Sequence, residues 1–388
     1  MITGGNSVLK KFWRRKQTKL PASLIKIKKE LKLKEGKTAT KQRLSIEEKK
    51  LLEEIKIQTK ELNINNITRT KAYLQFYNHH PDIHWAFLGH MVSRNGGWNM
   101  TDLKGEFLSR LLTKQVQQSF FTFLERGNWL IFQDAYPQFL IYEESRRKNK
   151  NLFHLLPHLH ISTFMETFWN HYWMKQESSL LTLALIINEQ SYLEKRILQN
   201  PLFQKKIFHS LEFKLQDYLS LNHILFPFTD RKKSCLLGQT LHHFESLHER
   251  ILLGKRLYSI LFQDVQQLNN VIQWANTHPH TGSRRDYWPH IFHDVKEGLP
   301  DSLKMPRIKS CRLTPSSPRV YSPNLRFVWK NMNHKRAETD DWFQNWKTLY
   351  YFIKKDETIN GAIQNEYCKT LERIELAALA KQAISFFE

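Results

Sequence analysis

The chain is short of the residues that make turns and cross-links: its 388 residues include 13 Gly, 13 Pro and 3 Cys. So little glycine and proline excludes a collagen-like or low-complexity chain and speaks against a barrel of many tight turns. Cys235, Cys311 and Cys368 stand far apart in no CxxC or paired pattern, which points to a reducing compartment and buried thiols. Long apolar runs are missing as well. The longest, Leu180–Ile187 with Thr182 inside it, is far below the roughly 18 residues a spanning helix needs. The opening MITGGNSVLKKFWRRK has no apolar stretch ahead of its charges, so no secretory leader is expected. GxSxG, HExxH, GxGxxG and phosphate-loop patterns are all absent, leaving the corresponding hydrolases, zinc peptidases and nucleotide folds without support.

Acidic residues are in deficit too, with 37 Asp and Glu against 59 Lys and Arg and a formal net charge of +22. The first 60 residues hold 18 basic and 6 acidic side chains, a net of +12, so the remaining 328 carry only +10. Such a basic segment favours polyanions, whether nucleic acid, anionic lipid headgroups or an acidic protein surface; a solvated arm with no dedicated partner fits the same composition.

What is present is helix. A hydrophobic fraction of 41%, with 13% aromatic, is ample for a core. Ser45 and Glu48 form a capping-box pattern ahead of Leu51, Leu52, Ile55 and Leu62, and Thr163/Glu166 and Ser191/Glu194 repeat it. Thr68 is expected to cap a helix carrying Ala72, Tyr73, Phe76 and Tyr77, and Pro81 to open the next one. That helix should stop at Asn95-Gly96-Gly97, with Thr101 or Asp102 capping its successor. Gly127-Asn128 should close a segment and Pro137 restart one. Residues 203–219 and 234–276 read as helical, and 298–326, with five prolines, as an extended loop. No period-2 strand series stands out.

The fold expected is all-α: an irregular or orthogonal multi-helix bundle with a basic, partly disordered N-terminal arm. Its divisions are a flexible arm at 1–43, a helical core at 44–297, a Pro-rich loop at 298–327, and C-terminal helices at 328–388 packing on the core.

Two segments gather polar residues: Ser93-Arg94-Asn95-Gly96-Gly97-Trp98-Asn99-Met100-Thr101-Asp102, and His278 through Pro289. Each joins glycine, arginine, hydroxyl or amide side chains and tryptophan at an expected helix boundary. Free N–H groups there, beside an arginine, suit an anion. The candidate ligand-binding residues are Arg94, Asn99, Asp102, His280, Ser283, Arg284, Asp286 and Tyr287. The alternative is structural, with Gly in turns and Arg–Asp pairs holding two helices. His80/His84 and His290/His293 have ligand-compatible spacing, and His280 with Asp286 could extend the second pair. Histidines on a large helical body are usually packing or surface residues, so neither a metal nor another cofactor is expected. No catalytic residue is assigned, since His280, Ser283 and Asp286 are neighbours in sequence only.

The strings NITRTKAY (66–73), HPDIHWAF (80–87), MVSRNGGWNMTDLKG (91–105), FLERGNWLIFQDAYPQ (123–138) and HTGSRRDYWP (280–289) resemble the YppC-like family of Gram-positive spore formers. The resemblance covers roughly 66–293. It implies a cytoplasmic helical protein without an assigned activity, and no catalytic residues carry over. Three functions stay open: a helical enzyme or a protein binding a polar or anionic small molecule between 94–102 and 280–288, an accessory factor held on nucleic acid or anionic membrane by residues 1–43, or a purely structural or interaction protein.

Overall fold

The computed structural model describes residues 20–37, 43–198, 223–231, 233–298, 305–353 and 361–385. Helices dominate. Among the described residues the six strands form only two-stranded ladders, so no central sheet organises them. Helix α1 (Ala22–Lys34) is followed by α2 (Ile46–Leu62), α3 (Asn66–His79) and α4 (His84–Asp102). A short α5 (Leu108–Leu111) leads into the 35-residue α6 (Lys114–Lys148), then α7 (Thr163–Lys175) and α8 (Ser178–Leu193). After the hairpin β1 (His223–Asp230) and β2 (Lys233–Thr240) come α9 (Leu247–Phe262) and α10 (Val265–Thr277). The last long helix is α11 (Gln364–Ser385).

The capping box at Ser45 forms as expected: its hydroxyl accepts from the Glu48 N–H while the Glu48 carboxylate accepts from the Ser45 N–H. Asn65, rather than Thr68, caps α3, with Thr68 as the third residue of the reciprocal box. His80 closes α3, and α4 begins only at His84, so Pro81 lies in the link between them.

Several expected boundaries vanish because tertiary packing overrides local breakers. α4 runs through Asn95-Gly96-Gly97 without stopping. Gly97 is there for closeness: a Cβ would lie 2.3 Å from Asn66 Oδ1 and 2.4 Å from His280 Nε2. Likewise α6 passes through Gly127-Asn128 and Pro137. An interior proline costs about 3 kcal/mol, but the flanking Phe132, Phe139, Leu140 and Ile141 are all buried and hold the axis. Ser191 and Glu194 open no helix, since α8 continues through them into a π turn at Glu194–Leu198. Within the C-terminal helices expected at 328–388, Trp346–Leu349 and Tyr350–Ile353 form two single turns.

The largest correction concerns 234–276. Its first part is strand β2, paired antiparallel with β1 from His223–Thr240 to Asp230–Lys233. Leu225, Phe226 and Leu236 bury the hairpin against the helices. The side chain of Asn95 serves as a strand edge for β1: it accepts from the Leu225 N–H and donates to the Leu225 carbonyl, both at 2.8 Å. The helix expected over 203–219 lies outside the described residues.

The flexible arm is corrected over its second half. α1 falls inside it and buries Leu24, Ile27 and Leu31 against α7 and the turn at Trp346–Leu349. Three apolar side chains at helical spacing suffice to dock a helix otherwise rich in lysine. From residue 305 onward the Pro-rich segment carries short ladders, Ile308–Lys309 with Arg312–Leu313 and Val320–Tyr321 with Phe292–His293. Cys311 there is disulfide-bonded to Cys368 of α11, contrary to the expectation of three thiols, and Cys235 is free. Sequence separation hid the pair; the fold brings their Cα atoms to 5.2 Å. Centrally, α8 packs against α4, α6, α7 and α9, and α6 spans about 52 Å across α2, α3, α4 and α8.

Candidate functional site

The two polar segments meet in space. Arg284, 7% exposed, donates from Nε to Asp102 at 2.8 Å, from one terminal nitrogen to Asn99 Oδ1 at 3.0 Å, and from the other to the Tyr287 hydroxyl at 2.8 Å. Tyr287 in turn shares a hydrogen bond of 2.6 Å with Tyr367 of α11. Burial alone would lower the Arg284 pKa, but Asp102 and the two tyrosines raise it well above the usual value. Asp286 accepts from the Thr281 N–H (3.0 Å), the Thr281 hydroxyl (2.5 Å) and the Trp98 indole (3.2 Å). Burial would raise its pKa; His280, Arg94 and Thr281 together bring it below the ordinary range. His280 Nε2 sits 2.8 Å from Asn66 Oδ1, and Ser283 donates to the Ser322 carbonyl at 2.5 Å.

Arg94 is the least satisfied member. It donates to the His278 carbonyl at 2.8 Å and stacks on Trp274, while Nε and one terminal nitrogen have no hydrogen-bond partner. Burial lowers its pKa to about 10, with Asp286 at 3.8 Å opposing. All eight expected residues thus share one polar joint between α4 and the 278–287 segment. Neither of the two cavities described below is lined by any of them.

A polar cleft of about 650 Å³ opens elsewhere, between the end of α2, the middle of α6, residues 159–161, Tyr192 of α8 and a strap at 331–339. That volume is in the range of small-molecule sites. Asp134 of α6 stands in its wall. Asn188 donates to Oδ2 at 2.5 Å and Gln138 at 3.0 Å, whereas Oδ1 has no partner among the described residues. The two amides are themselves held: Trp169 donates to Gln138 (2.8 Å) and Trp342 to Asn188 (2.7 Å). Burial lifts the Asp134 pKa to about 7, against the lowering effect of Asn188, Arg196 and Gln138. A carboxyl so oriented exchanges a proton near neutrality. Thr59, also fully buried in the lining, has an unpartnered hydroxyl.

Behind the cleft, Arg69 and Glu125 form a buried ion pair at 2.6 Å, and Arg69 also donates to Asn63, whose amide donates to the Trp129 carbonyl. His334 stacks on Trp129 and lies 3.6 Å from Glu125. The strap is pinned by Arg126 to the Lys335 carbonyl and by Arg196 to the carbonyls of Glu338 and Asp340. Just beyond it, Asp341 accepts from Ser162 and from Thr163 at the head of α7. Lys56, Lys60 and Arg336 are exposed at the rim, Lys56 paired with Glu53 at 2.6 Å, and among the described residues of the lining Glu338 is the exposed acid.

Sequence reasoning missed this site. Its usable signal was a carboxylate, Asp134, amid apolar residues with Gln138 one turn on, and Asn188 directly after the longest apolar run of the chain. The histidine pairs serve locally: His80 lies 3.2 Å from Glu143, and His84 lies 2.9 Å from the Tyr258 hydroxyl. Among the described residues no three His, Cys, Asp or Glu gather to hold a metal ion, and no helix is long and apolar enough to cross a membrane.

These features define a predominantly helical protein with a polar cleft backed by a buried ion-pair network. The chain belongs to the family described as "Protein of unknown function (DUF2515)", whose model matches residues 61–368. It is 44% identical over 238 residues to the uncharacterised protein YppC of Bacillus subtilis (strain 168), an alignment covering 61% of this chain and 73% of the relative. The resemblance read from the motifs is therefore borne out. No solved structure matches.

Proposed function

We propose that the protein binds a polar, anion-bearing small molecule in the cleft beside Asp134, and that the polar joint at 94–102 and 280–287 is the brace holding α4 in place. The observation that carries this reading is the unpartnered Oδ1 of a fixed, buried carboxyl in a 650 Å³ cleft. A buried polar atom without a partner costs free energy that a ligand group can recover. Lys56, Lys60 and Arg336 supply the charge for an anionic end. Inorganic phosphate, pyrophosphate and AMP serve as probes in thermal unfolding and calorimetry. At least one should stabilise the wild type, with Lys60→Ala/Arg336→Ala, both exposed positions, weakening its binding about tenfold or more. No response from the wild type, or an undiminished one from the double variant, would refute the reading.

A second reading rests on α1. With Leu24, Ile27 and Leu31 turned inward, Lys26, Lys29 and Lys32 are left exposed beside Ile25 and Leu33. This surface suits an anionic membrane. Binding to phosphatidylserine vesicles should weaken steeply with salt and be lost in Lys26→Glu/Lys29→Glu; vesicle binding indifferent to both would dismiss it.

A further inference from the structure

A second cavity, of about 210 Å³, lies among α4, α6, α8, α9 and the β-hairpin. Leu88, Ile131, Ile186 and Leu257 give it an apolar wall. It is distinct from the polar cleft: α8 contributes Tyr192 to the cleft, and Glu189 and Leu193 to the cavity. An apolar cavity of about 150 Å³ accepts benzene, so this one takes a slightly larger ring.

One part of the lining is polar without being satisfied. Tyr73 is 2% exposed and its hydroxyl has no hydrogen-bond partner. Trp85 is equally buried, and among the described residues its indole N–H makes no hydrogen bond of ordinary geometry. That group lies near enough to the Glu189 carboxyl to act on its protonation, as the Glu189 charge does on Tyr73. The Gln190 amide donates to the Glu189 carboxyl at 2.9 Å. Burial raises the Glu189 pKa to about 8, opposed by Trp85 and Gln190, which favours the protonated acid at neutral pH. Tyr73, Trp85 and, in its protonated form, Glu189 thus place donor groups in the lining of a largely apolar space. A charged ligand would be costly to desolvate here.

We propose that this cavity is a binding site for a small neutral molecule with a ring-sized apolar body and one carbonyl or hydroxyl oxygen, which accepts from Tyr73, Trp85 and Glu189. A single oxygen has two lone pairs and can accept from more than one of them. A site built to hydrogen-bond a ligand discriminates strongly against the analogue lacking that group.

Acetophenone and α-methylstyrene test the assignment, because they differ only in C=O against C=CH₂. Dissociation constants would be measured by calorimetry or ligand-observed NMR on the full chain and on its Tyr73→Phe and Glu189→Leu variants. Wild type should bind acetophenone. The ratio of acetophenone to α-methylstyrene affinity should fall at least tenfold in Glu189→Leu and several-fold in Tyr73→Phe. Either variant suffices if the other fails to fold. No binding by wild type, or a ratio unmoved in every folded variant, overturns the proposal.

Discussion

Replacing Asp134 by asparagine should change how the protein's stability depends on pH. In the folded chain burial carries the Asp134 carboxyl from its usual 3.8 to about 7. Between those values the folded state keeps a proton that the unfolded chain has lost. Native protein thus binds more protons, and stability falls as pH rises through the interval. Each unit is worth about 1.4 kcal/mol, so the loss approaches ~4 kcal/mol between pH 4 and pH 7 and levels off above. Asparagine imitates the protonated acid: its carbonyl can take the Oδ2 position, accepting from Asn188 and Gln138, and its amide the unpartnered Oδ1 position. The variant should match wild type near pH 4 and exceed it by a few kcal/mol at pH 8. Urea unfolding of both proteins at pH 5, 6, 7 and 8 measures the gap directly. Glu189, raised to about 8, contributes a slope of the same sign to both and largely cancels. A gap that stays constant with pH would show that Asp134 is ionised throughout and would remove the premise of the cleft reading.

Other substitutions test the remaining architecture. Gly97→Ala should destabilise by about 2–4 kcal/mol in urea unfolding, since overpacking and a broken Asn66–His280 contact outweigh the ~1 kcal/mol helix-propensity gain; a more stable variant would contradict the close approach. Arg284→Ala should cost about 3–5 kcal/mol by leaving Asp102 and Asn99 without their donor, whereas Arg94→Met, which removes one hydrogen bond and the charge 3.8 Å from Asp286 while that carboxylate keeps its Thr281 and Trp98 donors, should cost less, about 1–2 kcal/mol. Equal losses in the two would refute the distinction. Deleting residues 1–34 should lower stability by several kcal/mol through loss of Leu24, Ile27 and Leu31 burial, and an unchanged midpoint would mean α1 is not docked. Thiol titration of the denatured, unreduced protein should count one free cysteine, Cys235, rather than three.

The sequence by itself determined the helical class, because periodic apolar spacing and the capping box at Ser45 are local properties readable one turn at a time. It also marked the family, and it picked out Arg94, Asn99, Asp102, His280, Ser283, Arg284, Asp286 and Tyr287 as residues that belong together. What they do was not local. Gly97 looked like a helix stop until Asn66 and His280 were seen to need its missing Cβ, and Asn95 looked like a turn residue until β1 was found along it. The hairpin escaped notice because its pairing partner, not its own pattern, stabilises each strand. The cleft escaped for a related reason. Asp134, Asn188, Trp169 and Trp342 come from three helices and the segment after the strap, and only their meeting fixes one carboxyl with an oxygen to spare. Charge and hydrogen-bonding capacity are written residue by residue, whereas desolvation, which sets the cost and the pKa of a buried carboxyl, exists only once distant segments have closed around it.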